Sequence, residues 1–151
     1  MFKWFGIVNH VPHTKVAAFA DHLRGGHIMG SQCRACGHQT FPPRADCEKC
    51  LHGEFAFVEI SGRCTLLSWT RITAAPSGFE ALAPYTLGLV DLAEGGRALA
   101  PFGPALPDEA LSMGMALQLQ PRLHEDREDI KVDYTLEPAK GLGPSSGDPD
   151  A

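Results

Sequence analysis

Four cysteines in one short block constrain this fold more than any other feature of the sequence. Cys33 and Cys36 form one C-x-x-C pair, and ten residues later Cys47 and Cys50 form a second. Each pair can make a tight turn whose two sulfurs point at one centre, and Gly37 follows the first pair, where such a turn favours a positive φ angle. Two such turns supply the tetrahedron of four thiolates that suits zinc. The spacing therefore predicts a metal-binding module.

The four-thiolate ligand set predicts a structural ion and not a catalytic one. A catalytic zinc ion keeps one coordination position open for water or substrate, whereas four thiolates fill the tetrahedron. Iron in a rubredoxin-like centre would use the same ligands, and two disulfides would use the same cysteines, so both alternatives stay open at this point. His38 and His52 flank the block and are interpreted as surface side chains.

The remaining sequence predicts a mainly β protein with one short helix. Residues 14–25 have the apolar spacing of an amphipathic helix, with Thr14 as its N-cap. Residues 27–33 predict a strand that leads into the first cysteine turn, and residues 54–73 predict one long strand, bent or bulged near Gly62. Four more strands are predicted at 85–93, 97–103, 115–124 and 130–138, with a hairpin turn at 94–96 and a helical turn at 107–114.

Five short strands after a metal-binding module predict a small closed barrel, for which the OB-fold is the natural candidate. Closure hides the sheet edges, and metal coordination stabilises a module whose own core would be too small. The predicted organisation is an arm and helix at 1–28, a rubredoxin-like zinc ribbon at 29–53, a five-stranded OB-fold at 54–138 and a flexible tail at 139–151 rich in Gly, Pro, Ser and Asp.

The composition argues against two classes of partner. The formal net charge is −5, whereas a nucleic-acid-binding domain usually carries a basic stripe. No apolar run is long enough to span a membrane, and the first thirteen residues lack the uninterrupted apolar core of a signal peptide. We therefore expect neither a nucleic acid nor a membrane as partner, and a cytoplasmic location is the default expectation.

The sequence predicts no catalytic site within this chain. It contains no nucleophile elbow, no Walker loop and no dinucleotide-binding glycine fingerprint. Cys64, the one cysteine outside the block, lies in an apolar strand pattern and is interpreted as a buried structural thiol. His124, followed by Glu125 and Asp126, is interpreted as part of a solvated connection between two strands and not as a general base.

Two apolar segments are interpreted as contact surfaces for a partner protein. One is the loop at residues 74–85 and the other is the N-terminal arm, and both carry large apolar side chains which, apart from Tyr85 at the start of a predicted strand, lie outside the predicted strands. Such side chains in an exposed segment indicate an interaction surface, although a lid packed on the barrel's own core is an alternative for the loop. The proposed contact residues are Phe79, Leu82 and Tyr85 in the loop, and Phe2, Trp4 and Phe5 in the arm.

The order of these features resembles a family of acyl-CoA-associated proteins that join a rubredoxin-like zinc ribbon to a C-terminal OB-fold. The resemblance covers residues 14–138 and rests on the C-x-x-C-G, F-P-P-R and C-x-x-C elements of residues 33–50 and on the G-L-V-D-L-A-E-G hairpin at 88–95. It implies a non-catalytic accessory subunit of a thiolase-like enzyme, in a hetero-oligomer, with a coenzyme A thioester at the partner interface. Within the family, the chain most resembles the small subunits of benzoylsuccinyl-CoA thiolases of anaerobic toluene degradation.

Two other functions stay open on the sequence alone. One is a standalone acyl-CoA-binding protein without an enzyme partner, which co-purification of a thiolase-sized protein would exclude. The other is a nucleic-acid-binding module, because zinc ribbons and OB-folds both occur in such proteins. The cations that follow Cys50 are dispersed among many acidic residues, which opposes the basic groove that the second function needs.

Overall fold

The computed structural model describes residues 13–125 and 131–139, which form one short helix and eight strands in two sheets. The proposed contact residues of the arm, Phe2, Trp4 and Phe5, and all of the predicted tail beyond residue 139 lie outside this part of the chain. The elements are α1 (Ala18–Arg24), β1 (Met29–Cys33), β2 (Gln39–Thr40), β3 (Phe55–Glu59), β4 (Arg63–Ile72), β5 (Tyr85–Leu92), β6 (Arg97–Pro101), β7 (Ala116–His124) and β8 (Lys131–Pro138).

Helix α1 begins later than the sequence predicts. Its N-cap is Ala17, which offers no side-chain acceptor, whereas Thr14 Oγ1 accepts a 3.4 Å hydrogen bond from Val16 N in the turn before the helix. Thr14 therefore caps a preceding turn and not the helix itself. The predicted apolar face is confirmed, since the buried helix residues are Phe19, Ala20 and Leu23. Within the described ranges, no helix has the length and apolar character that crossing a membrane requires.

The long strand predicted at 54–73 is in fact two strands in different sheets, which corrects that prediction. Strand β3 pairs antiparallel with β1, and β1 pairs with β2, whereas β4 pairs with β5 and β7. Gly62 lies between β3 and β4 with φ of 73°, a left-handed conformation that turns the chain. The bulge in β4 lies further along, between Leu66 and Ser68. The first sheet therefore extends to Glu59, past the predicted module boundary at residues 53 and 54.

The second sheet is a five-stranded antiparallel barrel with the strand order β6-β5-β4-β7-β8. It closes where the chain after β6 meets β8: Phe102 forms a parallel bridge with Leu136, and Gly103 N donates a 2.9 Å hydrogen bond to Leu136 O. Counted from β4, the first strand (β4) therefore pairs with the second (β5) and the fourth (β7). The end of the third strand (β6) meets the fifth (β8), as in an OB-fold. The predicted OB-fold is confirmed.

One hydrophobic core joins the helix, the first sheet and the barrel. Phe41, from the segment between the two cysteine turns, has its ring centroid 6.0 Å from that of Phe19 in α1 and 5.3 Å from that of Tyr134 in β8. Both pairs have the edge-to-face geometry that aromatic rings favour. The cysteine-bearing module is therefore packed directly against both the helix and the barrel.

The linker between β3 and β4 is also hydrogen-bonded to the barrel. Ser61 N donates to Glu94 Oε1 at 2.8 Å, and Gln118 Nε2 donates to Ser61 O. Leu119 N donates to Gly62 O at 2.7 Å. Because these bonds use the linker backbone, they fix how the first sheet is oriented on the barrel.

Candidate metal centre

The sulfur atoms of Cys33, Cys36, Cys47 and Cys50 all lie within 4.8 Å of one another. Cys33 Sγ is 3.5 Å from Cys50 Sγ, and Cys36 Sγ is 3.6 Å from Cys47 Sγ. A zinc ion with Zn–S bonds of about 2.3 Å implies a tetrahedron whose sulfur–sulfur edges are about 3.8 Å. The four side chains are therefore arranged to hold one tetrahedral ion, as the spacing predicted. None of the four cysteines forms a disulfide, which removes the disulfide alternative.

The two C-x-x-C turns have the same backbone hydrogen-bond pattern. In the first, Gly37 N donates to Cys33 O at 3.0 Å, and Cys33 N donates to the carbonyl of His38. In the second, Leu51 N donates to Cys47 O at 2.9 Å, and Cys47 N donates to the carbonyl of residue 52. Each turn thus buries its first cysteine and leaves its second exposed, so the metal would sit at one edge of the module.

The backbone N–H groups of the turns point at the sulfurs and change their acidity. The N–H of Cys36 lowers the pKa of Cys33 to about 7, and the N–H of Cys50 lowers the pKa of Cys47. For Cys50, the N–H of His52 lowers the pKa, but the neighbouring sulfurs and burial outweigh it and raise the pKa to about 12. A divalent cation at the centre would stabilise all four thiolates.

Charged side chains brace the segment between the two turns through contacts that the sequence patterns did not predict. Glu48 accepts a hydrogen bond from His38 Nε2 at 2.9 Å and pairs with Arg44 Nη1 at 2.9 Å. The His38 hydrogen bond, together with the charge of Arg44, holds the pKa of Glu48 below its usual value. Ser31 Oγ accepts from Arg44 N at 2.9 Å, which ties the segment to β1. The i, i+4 spacing of Arg44 and Glu48 is a signal only on a helix, and residues 41–48 form none, so the sequence offered no sign of this pair.

The two candidate catalytic groups lie apart from the cysteines and do not form a site. Cys64 is buried in β4, and burial raises its pKa to about 11, so the thiol is protonated and is a weak nucleophile at neutral pH. His124 ends β7 and its Nε2 lies 2.8 Å from Asp133 Oδ2 of β8. The pair joins two strands and is largely buried, which corrects the prediction that His124 belongs to a solvated connection. Asp126 lies outside the described residues.

The loop between β4 and β5 has its own internal structure. A short 3-10 turn covers Glu80–Leu82, and Gly78 N donates to Glu80 Oε2 at 2.7 Å. Leu82 is 50% exposed, while Phe79 and Tyr85 are half-buried. None of the three belongs to the hydrophobic core or to the partly buried residues packed against it.

Comparison with known proteins identifies both modules. The rubredoxin-like zinc ribbon domain of ChsH2 matches residues 20–56, and the C-terminal OB-fold domain of ChsH2 matches residues 57–121. A DUF35 domain-containing scaffold protein of Pyrococcus furiosus is 33% identical over 122 residues, which cover 80% of this chain and 88% of the relative. The chain belongs to the ChsH2/DUF35 family.

Two further similar proteins carry the names of enzymes, one a thiolase and the other an aldolase. The benzoylsuccinyl-CoA thiolase subunit BbsA of Thauera aromatica is 32% identical over 77 residues, which cover 51% of this chain and 52% of the relative. In the solved structure of the Ltp2-ChsH2(DUF35) aldolase, one chain superimposes with a TM-score of 0.68 and 21% identity, over 85% of this chain and 98% of that one. The structural match establishes a shared fold.

Proposed function

We propose that this chain is a non-catalytic, zinc-binding accessory subunit of a thiolase-like enzyme that cleaves or forms a C–C bond in an acyl-CoA. The observation that carries the proposal is the similarity to the thiolase subunit BbsA. The geometry supports it, because four thiolates leave no coordination position for a substrate and the remaining thiol, Cys64, is buried and protonated. The nucleophile and the acid–base groups would then belong to the partner.

The accessory subunit would act by shaping the partner's active site. Claisen-type cleavage needs a dry pocket and a well-placed thioester, and a second subunit can close the pocket wall or hold part of coenzyme A. The loop at 74–85, with Phe79 as its central aromatic residue, is the proposed contact. Benzoylsuccinyl-CoA is the specific substrate we propose, by similarity to BbsA, in a cytoplasmic hetero-oligomer.

The metal in this proposal is one structural zinc ion per chain. Cys47→Ser should remove a ligand, reduce the zinc content and unfold the ribbon, because metal binding and folding of such modules are coupled. Elemental analysis of protein purified without added metal provides the measurement, and Cys64→Ser is the matched control that should keep full zinc. Iron in place of zinc, or a ribbon that stays folded without metal, would contradict the assignment.

Co-expression with the proteins encoded in neighbouring reading frames tests the proposed function. We expect a stable complex with a thiolase-like protein, visible by size-exclusion chromatography and native mass spectrometry. The complex should catalyse CoA-dependent thiolysis, while the purified accessory chain alone should show no turnover. Recovery of the chain alone with a bound acyl-CoA would instead support a standalone acyl-CoA-binding protein, and turnover by the single chain, abolished by Cys64→Ala, would refute the non-catalytic role.

A further inference from the structure

The outer wall of the barrel carries an apolar face that its own core does not use. Burial alternates along β5, so that Thr86, Gly88, Val90 and Leu92 face the interior and the other residues face outward. Strand pairing places Leu99 beside Leu89 and Pro101 beside Leu87, and Ile72 beside Tyr85. We call this surface the outer leucine face; its members are Ile72, Tyr85, Leu87, Leu89, Leu99 and Pro101.

The outer leucine face is only partly covered by the rest of the protein. Leu99 is 56% exposed, and the other five members are half-buried. None of the six belongs to the hydrophobic core or to the partly buried residues packed against it. A group of partly exposed apolar side chains on one face is a candidate interaction surface.

The charge pattern of the face favours an uncharged binding partner. Among the outward residues of β5 and β6, only Asp91 and Arg97 are charged, and they neutralise each other through a 2.7 Å contact between Oδ1 and Nε. A nucleic acid would need a basic groove with several exposed aromatic rings, but this face has one aromatic ring, Tyr85. Because a barrel wall is convex, it also lacks the concave shape that holds small ligands.

The face adjoins the loop that the proposed function assigns to the partner. Residues 73–84 join Ile72 to Tyr85, so the loop that carries exposed Leu82 and half-buried Phe79 begins and ends at one end of the face. A stable interface buries about 800 Å² and about 20–30 residues on each partner. The twelve residues of the loop are too few for such an interface, whereas the loop and the six members of the face together approach the lower end of that range.

We propose that the outer leucine face is the main docking surface for an apolar, uncharged region of the catalytic thiolase-like subunit. This inference rests on the proposed function and extends the contact from one loop to the exposed side of β4, β5 and β6. The face lies on the convex wall of the barrel, so docking there leaves the cysteine turns and the interior core unchanged.

The test compares two exposed leucines on different sides of the barrel. Leu99→Lys places a charge in the face, while Leu123→Lys places the same charge on β7, where Leu123 is 45% exposed. Binding of each full-length variant to the thiolase-like protein from the neighbouring reading frames is measured by calorimetry. We expect at least a tenfold loss of affinity for Leu99→Lys and less than a twofold change for Leu123→Lys. Zinc content and Tm check folding, and Leu99→Ser replaces Leu99→Lys if that variant is unstable.

The outcomes separate this inference from the proposed function. Equal binding of wild-type protein and Leu99→Lys would overturn the docking face and leave the proposed function intact. A wild-type chain that binds no thiolase-like protein would overturn the proposed function and this inference with it. Self-association of the wild-type chain that Leu99→Lys abolishes, with unchanged binding to the thiolase-like protein, would assign the face to a second copy and refute the proposed partner.

Discussion

At the scale of single residues, the two cysteine turns show how the same backbone is built from different side chains. Gly37 and Leu51 occupy equivalent positions and have φ of 72° and 61°. Glycine adopts this conformation without steric cost, whereas leucine does so at an energetic penalty. The sequence indicated the positive φ at Gly37 because glycine marks such positions, but Leu51 gave no comparable signal.

Leu51→Gly should therefore stabilise the protein. Relief of the left-handed strain is worth about 1–2 kcal/mol, and glycine costs about 0.5–1 kcal/mol in unfolded-state entropy. Because Leu51 is 82% exposed, little packing is lost, and the free energy of unfolding should rise by up to about 1.5 kcal/mol. Thermal unfolding of the metal-loaded protein measures the change. The control variant Leu123→Gly lies in a strand and should be destabilising. An equal loss of unfolding free energy in both variants would contradict the backbone strain at Leu51.

Asp108 provides a prediction about pH at the same scale. Thr86 Oγ1 donates to Asp108 Oδ1 at 2.7 Å, and Arg71 pairs with the other oxygen. Both contacts hold the pKa of Asp108 below its usual value of 3.8. A carboxyl group whose folded-state pKa is lowered contributes stability above its unfolded-state pKa and loses it as the pH falls through the folded-state pKa.

The Tm of the wild-type protein should accordingly exceed that of Asp108→Asn at pH 7, and the difference should shrink as the pH falls below 3.8. Calorimetry of both proteins across this range measures it, with Glu109→Gln as the control on the neighbouring exposed residue. A difference in Tm that stays constant from pH 7 to below 3.8 would show that Asp108 acts through packing and not through its charge.

At the scale of elements, strand periodicity predicted most of the barrel but not its connections. The alternating apolar patterns identified the strands at 85–93, 97–103, 115–124 and 130–138, which the structure confirms with small changes at their ends. The apolar alternation at 54–73 continues through the break between β3 and β4, so it predicted one strand in place of two. The break depends on tertiary hydrogen bonds from Gln118 and Leu119 to the linker, and no local pattern encodes these.

Gly62 is the residue that makes this break sterically feasible. A Cβ atom at Gly62 would lie 2.5 Å from Leu119 O, whereas a Cβ atom at Gly114, with φ of 83°, would meet no atom within 4 Å. Gly114→Ala should cost about 1–2 kcal/mol through backbone strain alone. Gly62→Ala should cost about 1–3 kcal/mol more, because the linker must also move away from β7. Denaturant unfolding of both variants measures the difference, and equal losses would exclude the close approach as the cause.

At the scale of the whole molecule, the sequence carries a stronger signal for the four-cysteine site than for the proposed partner surface. Metal ligands must converge on one point, and the turn geometry that achieves this is encoded in the short C-x-x-C spacing. The sequence also shows the outward residues Leu87 and Leu89, but it has apolar residues on both sides of β5. That pattern alone cannot distinguish a side covered by the chain's own helix from one left for another protein, so only the barrel topology reveals which side is exposed.

The last prediction concerns the loop contact with the partner. Phe79 is the central aromatic residue of a loop whose side chains lie outside the hydrophobic core, and central aromatic residues often dominate an interface. Phe79→Ala should weaken the complex with the thiolase-like protein by about 1–3 kcal/mol, while zinc content and the Tm of the isolated chain stay nearly unchanged. Calorimetric binding and thermal unfolding, measured on the same preparations, provide both values.

The paired measurement separates a partner contact from an internal one. If Phe79 anchors the partner, affinity falls while the Tm of the isolated chain does not. A sharp fall in Tm with unchanged affinity, at temperatures where the variant is still folded, would show instead that Phe79 holds its own loop together. Leu82→Ala then becomes the informative variant, because Leu82 is 50% exposed and its truncation removes contact area from the same loop with little effect on internal packing.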